Sequence, residues 1–175
     1  MRGLPDRSET SPYYFRYIDL IASEDVVEVL GKQADEIPRF LSGISEAASL
    51  RRYAPEKWTI RQVLNHVNDT ERVFLFRALW FARGMESPLP SYEQDAAAAA
   101  AKANEIAWAA HVSEFRAVRQ ATLVFFRNLP EEAWSRRGIA SDNPFTVRAV
   151  AYIIAGHAAY HRAVLEERYQ TVEGG

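Results

Sequence analysis

The chain contains no cysteine among its 175 residues. A disulfide framework, a thiolate metal site and a cysteine nucleophile are therefore excluded from the protein itself. It also lacks a large charge of either sign, because 21 Lys and Arg residues against 23 Asp and Glu residues leave a net charge of −2. This balance excludes a strongly basic nucleic-acid binder and an acidic disordered tail.

Long apolar runs are missing as well. The N-terminal stretch carries charges at Arg16 and Asp19, where a secretion signal needs an unbroken apolar core. The longest uncharged stretch, residues 149–161, is too short to span a bilayer and contains two histidines. We therefore expect a cytoplasmic protein with no membrane partner.

The composition that remains is ordinary for a globular protein, with 48% hydrophobic and 25% charged residues. A chain of this length fits one domain. We expect a single domain over residues 1–175, with an N-terminal extension at residues 1–22 and a frayed tail at residues 170–175.

Helix punctuation marks a first helical block from about Glu24 to Ser42. Ser23 is the expected N-cap, and Gly43 stands where a glycine often follows a helix. Pro38 lies inside the apolar pattern of this block, so we expect a kink or a break there.

The second block has the clearest start in the sequence. Thr59 and Gln62 form the T-x-x-Q pattern of a capping box, in which each side chain bonds the other residue's backbone N–H. The helix is expected to run to Arg83, with Gly84 as its stop.

Two further helical blocks follow. The third covers roughly Tyr92 to Leu129, in one or two pieces, and the fourth runs from a cap at Thr146 to about Tyr169. Residues 131–144 between them are expected to form a polar connection, since no run shows the alternation that a hairpin requires. Four helices of this length argue for an antiparallel four-helix bundle.

Three of the four histidines fall on apolar helix faces. His157 and His161 are four residues apart, so their side chains lie one turn apart on one face. His66 lies among valines at helical spacing in the second block. Neutral imidazole binds Zn²⁺, Ni²⁺ or Fe²⁺, and bundles build metal sites from inward side chains on facing helices. We favour a three-histidine metal site with an open position, and hydrogen-bonded core histidines remain the alternative.

Polar residues near His66 supply candidate helpers. Asp69 is a candidate acceptor for an imidazole N–H from a neighbouring helix. Arg77 is a candidate to hold an anionic substrate or to pair with a glutamate. The alternative for both is a solvated or salt-bridged position, which is the interpretation we favour for Glu71. His111 has no partner at ligand spacing, so we expect it to be structural or exposed.

Several sharper motifs are absent. The sequence HAAYH lacks the glutamate of H-E-x-x-H, which argues against a zincin-type protease. No glutamate stands three residues before any histidine, so the Glu-x-x-His pairs of di-iron bundles are missing. Nucleophile elbows and phosphate-binding glycine loops are also missing.

Three stretches together resemble the DinB/YfiT-like superfamily of bacterial proteins. They are RYAPEKWTIRQVLNHVNDTERVFLFRALWFARG, PLPSYEQD and TVRAVAYIIAGHAAYHRAVLEERY. The hallmarks are W-[ST]-[IV]-x-x-[VL]-x-x-H-x-x-D-x-E on the second helix and H-x-x-x-H on the fourth, and the resemblance covers nearly the whole chain. Two departures are Glu56 and Ser91, where relatives often have glycine, and both lie in expected loops.

The resemblance implies an up-down-down-up four-helix bundle, often a homodimer, with a divalent metal held by His66, His157 and His161. Members are described as metal-dependent hydrolases. Characterised relatives are metal-dependent thiol transferases or isomerases that use bacillithiol, mycothiol or glutathione.

These implications leave three functional hypotheses for a small-molecule substrate. In the first, the metal activates an external thiol for transfer to an electrophile, which fits a chain that has no thiol of its own. In the second, the same metal activates water for hydrolysis. In the third, the bundle binds metal without catalysis, and a fourth protein ligand such as Asp69 or Glu71 closes the coordination shell.

Overall fold

The computed structural model of the protein describes residues 3–21 and 25–169 and has a helical bundle at its centre. The α-helices, in chain order, are α1 (Phe15–Ile18), α2 (Val26–Ser42), α3 (Ile60–Ala82), α4 (Gln94–Ala100), α5 (Trp108–Arg127) and α6 (Val147–Val164). The last turn, Leu165–Tyr169, is a π-helix that continues α6. The four long helices α2, α3, α5 and α6 form the bundle.

Contacts between α2 and its neighbours fix part of the topology. Trp108, at the start of α5, donates to the carbonyl of Leu41 near the end of α2. Arg119, further along α5, bonds the side chain of Gln33 in the middle of α2. The two helices therefore run antiparallel.

Gln33 also donates to the carbonyl of Ala155 in the middle of α6, and Arg162, later in α6, pairs with Glu36, later in α2. Those two helices run parallel.

The helix α3 runs parallel to α5 and antiparallel to α6. Its residue Asn68 bonds His111 on α5, and Glu71, one turn later, pairs with Arg119.

The contacts with α6 run in the opposite order. Trp58, before α3, accepts from Tyr169 after α6, whereas Phe74, late in α3, packs on Phe145 just before α6. The order is therefore up-down-down-up, as the resemblance implied. A bundle in which all neighbouring helices are antiparallel is not formed. The long α3–α5 connection carries the chain back to the end of the bundle at which α3 begins, so α5 runs in the same direction as α3.

Two of the expected helix starts are confirmed. The backbone N–H of Gln62 donates to Thr59 Oγ1 at 3.1 Å, and the N–H of Thr59 donates to Gln62 Oε1 at 2.9 Å. Thr146 caps α6 by accepting from the N–H of Ala149 at 2.9 Å. At the other end of α3, Gly84 has a φ of +73°, a conformation that favours glycine and stops the helix.

The first long helix departs from the prediction. Its N-cap is Asp25, whose carboxylate accepts from Val27 and Glu28, while the expected cap Ser23 and first-turn residue Glu24 lie outside the described residues. Of the kink or break expected at Pro38, the break is absent. The helix continues through it to Ser42, since the missing N–H removes one hydrogen bond near the helix end while the buried neighbours Ile37 and Leu41 stay in the core.

The third block is two separate helices. Lys102 takes a left-handed conformation, with a φ of 49°, between α4 and α5. The alanine run before it has high helix propensity, but its methyl groups offer little surface to bury against the bundle. The short helix α4 therefore lies outside the bundle, and α5 begins only at Trp108.

A hairpin occupies the connection that was expected to be irregular. Strand β1 (Arg137–Ala140) pairs antiparallel with β2 (Asn143–Thr146), with Ala140 opposite Asn143. The two turn residues, Ser141 and Asp142, both have positive φ, which is the type I′ geometry typical of tight hairpins. The prediction missed this hairpin because its four-residue strands include a glycine and a proline and show no clean alternation.

The hairpin is attached to the α3–α4 connection. The N–H of Leu89 donates to the carbonyl of Ile139, and the N–H of Ser141 donates to the carbonyl of Leu89. Phe145 and Ala140 are fully buried beneath these contacts. Two segments outside the bundle are therefore joined into one cover over the end where α6 begins.

The N-terminal segment packs on α6 as tightly as one helix on another. A Cβ atom at Gly156 would lie 2.1 Å from the backbone oxygen of Tyr17, so only glycine allows this approach. The buried carboxylate of Glu9 accepts from Thr146 Oγ1 at 2.6 Å and pairs with Arg148. These contacts hold Tyr17 beside His157, with their ring centroids 5.2 Å apart.

A polar network crosses the core and joins all four bundle helices. Arg119 on α5 is fully buried and donates two hydrogen bonds to Glu71 on α3, at 2.9 and 2.7 Å. Its third nitrogen donates to Gln33 on α2, which in turn donates to the carbonyl of Ala155 on α6. Within the described ranges, no helix has both the length and the hydropathy needed to cross a membrane.

Candidate metal centre

The three histidines selected from the sequence meet in the middle of the bundle. His66 projects from α3, and His157 and His161 project from one face of α6. The Nε2 atom of His157 lies 3.1 Å from Nε2 of His66 and 3.1 Å from Nε2 of His161. All three ligand atoms lie within 4.8 Å of one another. The antiparallel packing of α3 on α6 produces this meeting, because it brings the first turns of α3 to the last turns of α6.

Burial keeps these imidazoles neutral. Desolvation lowers the pKa of His66 to about 4 and that of His161 to about 3. Desolvation, together with the two neighbouring histidines, lowers the pKa of His157 well below its usual value. Neutral imidazole is the form that binds metal ions, so the cluster needs to lose no proton near neutral pH.

The donor set fits one divalent ion. Three nitrogens about 2.0–2.1 Å from a tetrahedral Zn²⁺ lie about 3.3 Å from one another, close to the separations found here. The Nδ1 atom of His161 is buried and has no hydrogen-bond partner among the described residues. Three converging nitrogens without a carboxylate would otherwise waste hydrogen-bonding capacity in the core. Residues His66, His157 and His161 are therefore well placed to hold a metal.

The outer contacts of the cluster differ from the prediction. The Nδ1 atom of His66 lies 3.3 Å from the hydroxyl of Thr70, one turn later on the same helix. Asp69, the expected acceptor, faces another way: its carboxylate accepts from Asn65 at 2.8 Å and from Arg72 at 3.4 Å. A residue three positions after His66 lies on the neighbouring stripe of α3, which faces α5 and solvent. Asp69 thus contacts no histidine of the cluster.

Two other expectations concern residues outside the cluster. Glu71 is salt-bridged, as we favoured, but in the core, where Arg119 pairs with it at 2.7 Å. His111 is fully buried and structural, since its Nε2 atom lies 2.9 Å from the carbonyl oxygen of Ala103. Neither residue reaches the three-histidine cluster, and neither supplies a fourth ligand there.

An inner cavity of about 140 Å³ opens from two of the histidines toward Arg77. Its walls come from the N-terminal segment, α3, the start of α4, the hairpin turn and α6. Beyond His66, His157 and Arg77, the residues that line it are Tyr13, Tyr14, Tyr17, Thr70, Val73, Phe74, Tyr92, Gln94 and Ser141. A cavity of this size suits a small molecule, since about 150 Å³ is enough to hold benzene.

The sequence analysis did not identify most of this lining. The tyrosines at 13, 14 and 17 and the hydroxyl of Ser141 lie outside the four predicted helical blocks, and Tyr92 was expected only to begin the third block. The one available signal was the unusual density of tyrosine in SPYYFRY, directly before the bundle. Arg77 was identified, and it lines the cavity without pairing with a glutamate.

An outer cavity of about 300 Å³ lies on the other side of the cluster. His161 lines it, together with Trp58, Tyr160, Tyr169 and Lys57. The ring of Trp58 lies 5.1 Å from His66, and the ring of Tyr160 lies 5.2 Å from His161, so aromatic rings flank the cluster on this side. The cluster thus stands between two cavities of different size.

Comparisons with solved structures support the fold. The chain superposes on YfiT from Bacillus subtilis, which is described as "a probable metal-dependent hydrolase with an unusual four-helix bundle topology", with a TM-score of 0.71 and 16% identity. The match covers 95% of this chain and 91% of that one. The chain is also similar to a mycothiol-dependent maleylpyruvate isomerase, with a TM-score of 0.66 and 17% identity. That match covers 79% of this chain and 58% of the isomerase.

The sequence comparison covers most of the bundle. No functionally curated protein matches the chain in a sequence search. The profile of the DinB superfamily, however, matches residues 30–165, a span that includes all three histidines and every bundle helix except the first turn of α2. The chain therefore belongs to the DinB superfamily.

Proposed function

We propose that this protein is a metal-dependent enzyme that transfers a low-molecular-weight thiol to a small electrophile. The metal is a divalent ion such as Zn²⁺, Ni²⁺ or Fe²⁺, held by His66, His157 and His161. The observation that carries the proposal is the position of the three histidines between two cavities, because a transfer reaction needs one site for each of two substrates.

The sizes of the cavities suggest which substrate each one takes. The outer cavity, at about 300 Å³, is at the lower end of the range that holds drug-sized ligands and suits a thiol of the glutathione, bacillithiol or mycothiol kind. The inner cavity, at about 140 Å³, suits a smaller electrophile. The chain has no cysteine, so the sulfur must come from the first of these substrates.

The reaction has a simple balance. A bond forms between the thiol sulfur and an electrophilic carbon, the bond from that carbon to its leaving group breaks, and the thiol proton departs with the leaving group. A divalent ion bound at the cluster would lower the pKa of a thiol, or of water in the hydrolytic alternative, and stabilise the anion formed.

The chain's own residues arrange and shield this chemistry. Thr70 fixes the ring of His66 through the contact to Nδ1, which leaves Nε2 directed into the cluster. The rings of Trp58, Tyr17 and Tyr160 surround the histidines and exclude bulk water, which strengthens electrostatic interactions at the site.

Hydrolysis is the second candidate function, and the description of the Bacillus subtilis protein as a probable metal-dependent hydrolase favours keeping it. The same cluster would serve, but the outer cavity would have no substrate to hold. A metal site without catalysis has less support. The two carboxylates expected to close the shell, Asp69 and Glu71, bond Asn65 and Arg119 instead.

The first experiment measures metal by elemental analysis after purification without chelator. We expect about one divalent ion per chain in the wild type and much less in His157→Ala. His111→Gln is the matched control, because it removes a buried histidine outside the cluster and should keep the metal. Equal metal content in the wild type and His157→Ala would refute the site.

The second experiment separates transfer from hydrolysis. Metal-loaded protein is assayed with chlorodinitrobenzene in the presence of each of the three thiols, and with a nitrophenyl ester in their absence. Turnover that requires a thiol and is lost in His157→Ala supports transfer. Thiol-independent ester cleavage that is lost in the same variant supports hydrolysis instead.

A further inference from the structure

Arg77 is the one buried arginine in the described part of the chain that has no carboxylate partner. Two other arginines are as deeply buried, and each is neutralised: Arg61 pairs with Glu46 and Arg119 with Glu71. Arg77 is only 4% exposed, yet its recorded hydrogen bonds go to neutral groups. A buried charge without a counter-charge is costly, so this difference points to a missing anion.

The neutral partners of Arg77 orient its guanidinium without compensating its charge. One nitrogen donates to Ser141 Oγ at 2.8 Å and to the carbonyl of Pro90 at 3.3 Å. The guanidinium also lies 5.3 Å from the ring centroid of Phe74 and beside the hydroxyl of Tyr14. A guanidinium has five N–H donors in a planar fork, so donors remain for a ligand.

The remaining walls of the inner cavity are also free of negative charge. Among the described residues that line it there is one arginine and no aspartate or glutamate. Two carboxylates act on lining residues through space, Asp95 on His66 and Asp69 on Tyr92, and neither of them lines the cavity. The cavity is therefore a positively charged enclosure with polar hydroxyls around it.

We propose that the inner cavity binds a small organic anion, with its carboxylate held by Arg77 and Ser141 and its reactive atom directed toward His66 and His157. The orientation of the reactive atom toward the histidines rests on the proposed function, whereas the anion site itself rests on Arg77. The bound anion would be the electrophile, an organic acid, because the cavity is too small for a thiol of the size of glutathione.

The geometry also sets the length of the ligand. The guanidinium stacks at the level of Phe74, eight residues along α3 from His66, which is about 12 Å at 1.5 Å per residue. A ligand that bridges both ends must therefore carry its carboxylate several bonds from the reacting atom. The volume of about 140 Å³ limits it to a small molecule.

The test compares benzoate with benzamide, which have the same shape and differ in charge. Binding is followed by protein NMR titration on metal-free protein, where neither metal nor thiol contributes. We expect wild type to bind benzoate about tenfold or more tightly than benzamide, as a charge-assisted hydrogen bond implies. The preference should disappear in Arg77→Met and persist, reduced, in Arg77→Lys.

Arg116→Met is the matched control, because it removes an exposed arginine on α5 and should keep the full preference. If Arg77→Met fails to fold, the wild-type titration still decides: benzoate must shift the side-chain Nε–H signal of Arg77 and the amide of Ser141. Equal binding of the two probes to wild type, or benzoate shifts centred elsewhere, would overturn the anion site. Competition between benzoate and glutathione would overturn its assignment to the electrophile.

These outcomes are independent of the proposed function. A preference for benzoate in metal-free wild type supports the anion site even if elemental analysis finds no metal. Conversely, a metal-bound, thiol-dependent enzyme without that preference would retain the proposed function and lose the anion site.

Discussion

The network around Arg119 allows a quantitative test of how the bundle is held together. Arg119→Met keeps most of the apolar stem and removes the guanidinium. The carboxylate of Glu71, only 3% exposed, then loses both of its charge-assisted hydrogen bonds, and Gln33 loses its bond as well. Breaking one side of a buried ion pair costs about 3–5 kcal/mol, because the remaining charge is left unpaired. That is a large part of the 5–15 kcal/mol by which domains are typically stable.

The second substitution tests whether the unpaired charge is the cause. In the double variant Glu71→Gln with Arg119→Met, no buried charge remains, and the side-chain volume is almost unchanged. We expect the double variant to recover about 2 kcal/mol relative to Arg119→Met, so the two effects are strongly non-additive. The exposed Arg116→Met on the same helix is the control, and it should change the free energy of unfolding by less than about 0.5 kcal/mol.

The assay is urea unfolding of metal-free protein, followed by circular dichroism at one pH. It compares the wild type with Arg119→Met, Glu71→Gln, the double variant and Arg116→Met. A shift in midpoint at constant slope reports a change in stability rather than in the unfolded state. An Arg119→Met variant within about 1 kcal/mol of wild type would refute the reasoning. So would a double variant that is less stable than Arg119→Met, because the penalty would then not come from the charge of Glu71.

Three further predictions concern the site. Gly156→Ala should destabilise by about 1–3 kcal/mol in urea unfolding and shift Tyr17 away from His157, because its Cβ would overlap the Tyr17 backbone. Gly31→Ala should be neutral or stabilising, because its Cβ would make only an ordinary contact of 3.5 Å with the Arg127 guanidinium. The lowered pKa values of His66 and His157 mean that metal-free protein loses stability as the pH falls below about 6.5. The free energy of unfolding should fall by up to about 1.4 kcal/mol per pH unit for each histidine. A His157→Asn variant whose free energy of unfolding depends on pH as steeply as that of the wild type would contradict this. Zn²⁺ at 100 times its dissociation constant should stabilise wild type by about 2.7 kcal/mol and leave His157→Ala unchanged in thermal unfolding.

The sequence predicted best those features that depend on helix periodicity and capping. The boundaries of α3 follow from the reciprocal bonds of Thr59 and Gln62 and from the positive φ of Gly84, and both are local signals. The three-histidine cluster follows from the same periodicity, since residues on apolar stripes of facing helices must meet in the core. Up-down-down-up order came from the family resemblance alone, because amphipathic stripes do not specify the direction of neighbouring helices.

The errors share one physical cause, which is that tertiary contacts outweigh local preference. Pro38 is tolerated because the apolar residues around it stay buried, and the hairpin forms because Phe145 is buried beneath it and Leu89 pairs with its edge. Asp69 was assigned to the cluster by sequence distance, whereas its carboxylate bonds Asn65 and Arg72 on its own helix. In each case the contacts with other residues of the fold decide the outcome, and the local sequence does not show those contacts.

The same distinction separates the parts of the site by what they contribute. The bundle supplies the metal-binding histidines, and their positions depend only on the register of α3 against α6. Half of the residues that line the inner cavity lie on α3 and α6, and the other half come from the N-terminal segment, residues 92–94 and the hairpin turn. Arg77 joins the two parts, because it lies on α3 and bonds the hairpin turn through Ser141.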